Sequence, residues 1–360
     1  MKKVLSLVLV LLLVLTTIGF VACSGAEEAA PAPAEEEAAP AEEEAAPAEE
    51  AASYDMTTVV KVTNVGWFQR MKEGVEQFGA DRGHTSIMDG PADEGDAAKQ
   101  NEIMENLIAE GVDAICLVPM NVQANEPVLK RAMDAGIVVV THEASSIENA
   151  DYDIEAFDNV AFGAKLREEL IKQAGDTGTY GMFVGGLSSE THMQWQDGGE
   201  SIMGDYPNLV AVDEGRVETA DNSQQAFEKA KELIKKYPDL VLIQGCASTD
   251  AEGACKAIEE AGLTGKVFFA GAGLVGDNQT YIEKGLIGVM GGWDPKDAGY
   301  VMNVIAEKVL DGKTAELVDG ANFDLPGYED CSLDGKVFYG KAWYMATPEN
   351  YENHRSEERR

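Results

Sequence analysis

Basic side chains are in short supply: 28 Lys and Arg stand against 64 Asp and Glu, and the formal net charge is −36 at pH 7. A chain of that sign repels phosphate, which argues against nucleic acid as a partner. Cysteine is sparse too, with five in 360 residues. Cys116, Cys246, Cys255 and Cys331 are spaced too widely for a CxxC pair or a disulfide framework. Buried free thiols are expected, with a single disulfide left open. The four histidines, His84, His142, His192 and His354, form no HExxH or paired-ligand spacing, so no metal site is expected. Neither GxSxG nor a GxxxxGK[ST] loop occurs, and "GAGLVG" at 271–276, which has the G-x-G-x-x-G spacing, lies late in the chain and reads as a glycine-rich strand end. Nothing in these motifs demands an enzyme, and no cofactor is implied.

The one long apolar run lies at the start. Met1-Lys2-Lys3 leads into the uncharged "VLSLVLVLLLVLTTIGF" and then "VACSG". A basic start, a short apolar region and a small residue before the cut describe a secretory signal peptide over residues 1–22. Cys23, after Val21-Ala22, resembles the lipobox at which bacterial lipoproteins are cut and acylated, although Phe20 stands where that pattern prefers Leu. Cys23 is thus the expected lipidation site, and the expected location is the outer face of the cell membrane. Residues 24–53 form an imperfect Ala-Pro-Glu repeat with ten Glu and no aromatic or basic residue. Such a segment cannot bury enough apolar area to offset its conformational entropy, and its like charges extend it. Residues 23–56 therefore read as the lipidated Cys followed by a Pro-stiffened, disordered spacer.

The body, residues 57–345, is too long for one compact core and suits two domains. Short apolar runs alternate with amphipathic segments of helix length. "VVKVTNV" precedes "WFQRMKEGVEQFGADRG", "TSIMD" precedes "DAAKQNEIMENLIAEG", and "DAICLVP" precedes "QANEPVLKRAMDAG". Ile103, Met104, Leu107 and Ile108 share one helical face, and Gly83, Gly111 and Gly136 sit where helices stop. After "DYDIEAFDN" the alternation restarts and runs to a helix over 296–310. Repeated strand–helix units imply parallel strands with right-handed crossovers and helices on both faces. The expected fold is α/β, with two doubly wound parallel-sheet domains.

In such sheets ligands bind beyond the carboxyl ends of the strands. Those ends offer Lys61, Asn64 and Trp67, then Asp89, Asn121 and the pair His142-Glu143. In the second half they offer His192 and Met193 within "SSETHMQ", then Asp250 and Asp294. Aromatic faces, carboxylates, amides and one Lys suit a polyhydroxylated ligand, because rings pack on C–H faces and charged groups bind paired hydroxyls. Phe68, Met71, Val75 and Phe78 form the buried stripe of the first helix, which leaves Trp67 facing the mouth. Trp195, with Gly199, Ile202 and Met203, fits a core stripe instead. Asp294 has a second reading as the cap of a helix beginning at Pro295.

The runs "NEIMENLIAEGVDAICLVPMN", "VLKRAMDAGIVVVTHE", "AFEKAKELIKKYPDLVLIQGCASTDAEGACKAIEEAGLTGKV" and "YIEKGLIGVMGGWDPKDAGY" carry a family resemblance. Over about residues 57–315 the chain resembles the ribose-binding-like periplasmic sugar-binding proteins of bacterial ABC importers. "MDGP" and Trp293-Asp294 resemble the rhamnose and autoinducer-2 subgroup, with Lys61 and Glu143 where that subgroup places a ligand lysine and an Asp. Thr191-His192 stands where autoinducer-2 binders carry Asp-Gln, and Gly273 replaces an Asp typical of ribose binders, which favours another sugar or sugar-like polyol.

The resemblance implies a type I periplasmic binding protein: two lobes, three crossover segments and a monomer that offers its closed form to a membrane permease. The expected lobes are 57–157 with 275–312, and 158–274 with 313–345, followed by a loose tail at 346–360. An alternative function is a sensory module that presents a sugar or autoinducer-2-like signal to a membrane receptor. A secreted hydrolase lacks a nucleophile or carboxylate pair, and a ligand-repressed transcription factor lacks a helix-turn-helix.

Overall fold

A computed structural model describes residues 53–92 and 96–355. The leader, Cys23 and the spacer up to residue 52 lie outside the described residues. No helix among the described residues is long and apolar enough to cross a membrane.

The first half of the chain alternates strand and helix as far as its fourth strand. Strands β1 (Asp55–Val59), β2 (Thr85–Asp89), β3 (Ala114–Leu117), β4 (Val138–His142) and β5 (Tyr152–Glu155) are separated by α1 (Gly66–Arg82), α2 (Ala97–Glu110) and α3 (Val122–Asp134), with a loop between β4 and β5. β3 reads "AICL" and is buried at every position, as a central strand covered on both faces must be. Asp96 caps α2 by accepting from the Ala98 and Lys99 amides, and Gly83 and Gly111 end α1 and α2 in the left-handed conformation expected of a stop glycine. β1 begins at Asp55, two residues before the expected start of the body.

The second series holds α4 (Asn159–Ala174), β6 (Gly178–Val184), α5 (Glu190–Ser201), β7 (Leu209–Glu218), α6 (Ser223–Lys236), β8 (Leu240–Gln244), α7 (Asp250–Glu260), β9 (Phe268–Ala272), α8 (Val275–Glu283) and β10 (Ile287–Gly292). α9 (Pro295–Leu310), β11 (Ser332–Asp334), β12 (Val337–Tyr339), β13 (Tyr344–Ala346) and α10 (Tyr351–Arg355) complete the described chain. Two sheets result, ordered β11-β12-β5-β4-β3-β1-β2 and β13-β10-β9-β8-β6-β7. All neighbours are parallel except β11 beside β12 and β13 beside β10. The α/β, doubly wound expectation holds.

The chain passes between the sheets three times, at 156–158, 293–294 and 340–343. The lobe boundaries differ from those expected. Residues 275–292, assigned to the first lobe from sequence, stay in the second, because the fully buried strand β10 pairs with β9. Residues 313–339, assigned to the second lobe, return to the first, where β12 pairs in parallel with β5. The tail is not loose as far as Arg355: Tyr351 packs against the second-lobe core and the His354 ring stacks on Tyr344 at 5.2 Å.

Close helix contacts brace each lobe. A Cβ at Gly74 of α1 would lie 1.8 Å from the Lys296 carbonyl oxygen of α9, and one at Gly163 of α4 would lie 1.9 Å from the Trp195 carbonyl oxygen of α5. Only glycine permits these approaches. Cys116, Cys246, Cys255 and Cys331 are all buried and unpaired, and burial pushes the Cys116 thiol up to about 12.

Candidate functional site

The strand ends of the two sheets meet across a cavity of about 30 Å³. Just beyond β1, Lys61 projects into it, and just beyond β4 comes Glu143. Lys61 Nζ donates to Glu143 Oε2 at 2.5 Å, with side-chain exposures of 4% and 6%. Burial works against the Lys61 ammonium, yet Glu143 and then Asp221 hold it charged, above its ordinary value. Burial also penalises Glu143, but the Lys61 ammonium holds its carboxyl below the usual range. Glu143 adopts φ 62°, a left-handed conformation that a non-glycine residue keeps only when its surroundings impose it.

Aromatic rings close the cavity. Trp67 meets Trp293 edge to face with centroids 4.7 Å apart, and Trp195 approaches Trp293 at 5.8 Å. The Trp195 indole N–H donates to Asn159 Oδ1 at 2.8 Å, and Asn159 Nδ2 donates to Glu155 Oε2 at 3.0 Å. That chain of bonds spans the first crossover and fixes the Trp195 ring. Trp293 is 2% exposed, and its indole N–H has no hydrogen-bond partner among the described residues.

His192 lines the same cavity. Its Nδ1 accepts from the Gly185 amide at 3.0 Å, so the neutral ring carries its proton on Nε2. Burial, with Lys61 adding, pushes its pKa down to about 3, which keeps the imidazole neutral. Facing it from the end of β7, Asp221 contributes a carboxylate. Asp221 is half-buried as a residue, yet its Oδ2 is shielded from solvent and has no hydrogen-bond partner among the described residues.

Among the residues anticipated from sequence, Lys61, Trp67, Glu143 and His192 converge on this cavity. Asn64 is exposed and lines an adjoining recess of about 670 Å³ that shares Trp67, Asp221 and Ser248 with the inner cavity. His142 lies behind, wholly buried, its ring 5.7 Å from Trp293 and its Nδ1 bonded to the Ile154 carbonyl. The others have different duties. Asp89 is exposed and accepts from the Gly90 amide, Asn121 caps α3, and Met193 packs its sulfur on Arg216. Asp250 accepts from Thr219 and from the Cys246 and Ala247 amides, within its own lobe.

Asp294 follows its second reading. It caps α9 by accepting from Lys296 N and forms two bonds to Arg70, on the side of a separate recess by the crossovers. Phe68 belongs to the buried stripe as expected, but it also touches the cavity, and so does Trp195. The residue that sequence reasoning passed over is Asp221. A signal is present, since "TADN" follows strand β7 just as "TNVGW" follows β1.

Two doubly wound lobes that face each other across polar and aromatic strand ends, joined by three short crossovers, define a two-lobed binding protein. The periplasmic binding protein domain family matches residues 56–314, and the chain belongs to that family. The D-ribose/D-allose-binding protein of Pseudomonas aeruginosa is 28% identical over 221 residues, 57% of this chain and 66% of that one. The D-allose-binding periplasmic protein of Escherichia coli is 22% identical over 76% of this chain and 90% of its own. In fold, the chain is similar to a solute-binding protein of Clostridium phytofermentans with bound L-rhamnose, with TM-score 0.78, 19% identity and coverage of 86% and 100%. It is also similar to LsrB of Clostridium saccharobutylicum in complex with AI-2, with TM-score 0.75, 22% identity and coverage of 83% and 99%.

Proposed function

We infer that this is a lipid-anchored solute-binding protein that captures a sugar or sugar-like ligand between its lobes and presents it, as a monomer, to an ABC importer in the membrane. The observation that carries the reading is one cavity holding a buried Lys61–Glu143 pair, His192 and the indoles of Trp67 and Trp293. Such a site offers charge-assisted hydrogen bonds and flat apolar faces together, the pairing a polyol ring needs. The relatives named for ribose, allose and rhamnose support the ligand class. A cavity of about 30 Å³ holds little more than a water molecule, so entry of a sugar calls for hinge opening at the three crossovers. The leader and Cys23 support attachment to the outer face of the membrane.

A thermal-shift screen over pentoses, deoxyhexoses, hexoses and autoinducer-2 tests this reading. A ligand that binds only the folded state contributes roughly 3 kcal/mol at a hundred times its Kd, so the right sugar raises the melting temperature by several degrees. A flat response across the whole panel counts against it. Replacing Cys23 by Ser tests the anchor separately, and the expected result is release of the protein from the membrane fraction.

A further inference from the structure

We propose that the ligand carries a protonated amine as well as hydroxyl groups, with Asp221 as the counter-ion: an amino sugar or amino polyol rather than a neutral or an acidic one. The inference rests on the carbohydrate reading above and narrows it.

Charge makes the case. One cation, Lys61, and two carboxylates, Glu143 and Asp221, share the inner cavity. Lys61 lies 2.5 Å from Glu143, and one ammonium cannot neutralise two acids. His192 adds no charge, because the Gly185 amide occupies its Nδ1 as a donor to a neutral ring. One negative charge is left over on a carboxylate whose Oδ2 is shielded from solvent, and burial raises that carboxyl against the pull of Lys61, a cost that a ligand cation would remove.

Asp221 is also held ready for a partner. Ala220 and Asp221 are consecutive left-handed residues, with φ 52° and 50°, and strain of this kind concentrates where a side chain must be aimed. The carboxylate lies so close to the backbone that a Cβ at Gly185 would sit 2.5 Å from Asp221 Oδ2, while that oxygen has no hydrogen-bond partner among the described residues. A hydroxyl would supply a hydrogen bond but leave the charge, whereas an ammonium supplies both. The indole faces nearby attract a cation as well. The unpaired indole N–H of Trp293 offers a donor to a ligand hydroxyl, which keeps the polyol in the description.

The approach has the same sign. Glu252 and Asp277 line the outer recess that shares Trp67 and Asp221, and Lys284 there is already paired with Glu259. A cation is drawn inward, and a sugar phosphate or sugar acid is turned away.

Calorimetric titration of the full chain at neutral pH with matched sets tests the proposal. The sets are D-glucose, D-glucosamine and N-acetyl-D-glucosamine, their galacto and manno counterparts, and sorbitol with 1-amino-1-deoxysorbitol. The amines are expected to bind roughly tenfold or more tighter than their neutral and N-acetylated partners. Asp221→Asn, which tolerates the left-handed backbone, is expected to remove that preference without lowering the melting temperature of the unliganded protein. Equal or tighter binding of the neutral members overturns the amine proposal and leaves the carbohydrate reading standing. A preference that survives in Asp221→Asn overturns the assignment of the counter-ion. Binding by no member of any set overturns both readings. Should the variant not fold, the wild-type ranking decides alone.

Discussion

Trp67, in the first turn of α1, meets Trp293, on the second crossover, edge to face with ring centroids 4.7 Å apart. The contact ties a wall of the cavity to a segment along which the lobes must turn relative to each other. Trp67→Ala is expected to weaken ligand binding by well over tenfold, since aromatic anchors of this size dominate such pockets. The circular dichroism spectrum should be unchanged, and calorimetry checks the affinity.

Lys61 and Glu143 form a pair whose halves depend on each other. Lys61→Met leaves a buried carboxylate without its cation and is expected to cost roughly 3–5 kcal/mol of stability. Adding Glu143→Gln removes that charge and should restore most of the loss, because the pair is worth far less than the damage done by breaking it. Denaturant melts of the two single variants and the double variant read this as a cycle. Additive losses would contradict it.

Stability should rise on mild acidification. Burial pushes the Asp153 carboxyl up to about 7 and lifts neighbouring Glu155 well above its ordinary value. The folded state therefore holds these protons more tightly than the unfolded chain, in which such groups titrate near about 4. The stabilisation is complete below that lower value and is lost as pH rises through about 7. For Asp153 alone the gain between pH 7 and pH 5 is about 2 kcal/mol. Melting temperature against pH measures it, and Asp153→Asn should flatten the slope.

Helix packing supplies a further test. Gly163→Ala on α4 sets a methyl group against the Trp195 backbone of α5, with a Cβ 1.9 Å from that carbonyl oxygen. The helices must part, at a cost of roughly 1–3 kcal/mol. Because Trp195 lines the cavity, ligand binding should weaken as well. Gly74→Ala, where α1 crosses α9, should cost similar stability.

The parts of this protein that were legible in sequence are those fixed by short-range rules. "TSIMD" is β2 residue for residue, and the stop glycines lie where helices end. Lys61 and Glu143 lie within two residues of a strand end, Trp67 and His192 lie in the first turn of the helix after one, and such strand ends of a doubly wound sheet point at the ligand. Asp250 and Asp294 follow strands just as closely. Their carboxylates are taken by other partners: the nearby Cys246 and Ala247 amides with distant Thr219 for one, and distant Arg70 for the other. The lobe boundaries were hidden for a related reason. β12 joins β5 across nearly two hundred residues of chain, and no local composition marks the three places where the chain changes lobe.

The most direct measurement is a crystal structure with the tightest ligand from the thermal-shift screen. The account predicts that ligand between the two sheets, touching Lys61, Glu143 and Trp67, with Asp221 bonded to it. A ligand found elsewhere, such as the recess beside Arg70 and Asp294, with the Lys61–Glu143 cavity unchanged, would contradict it.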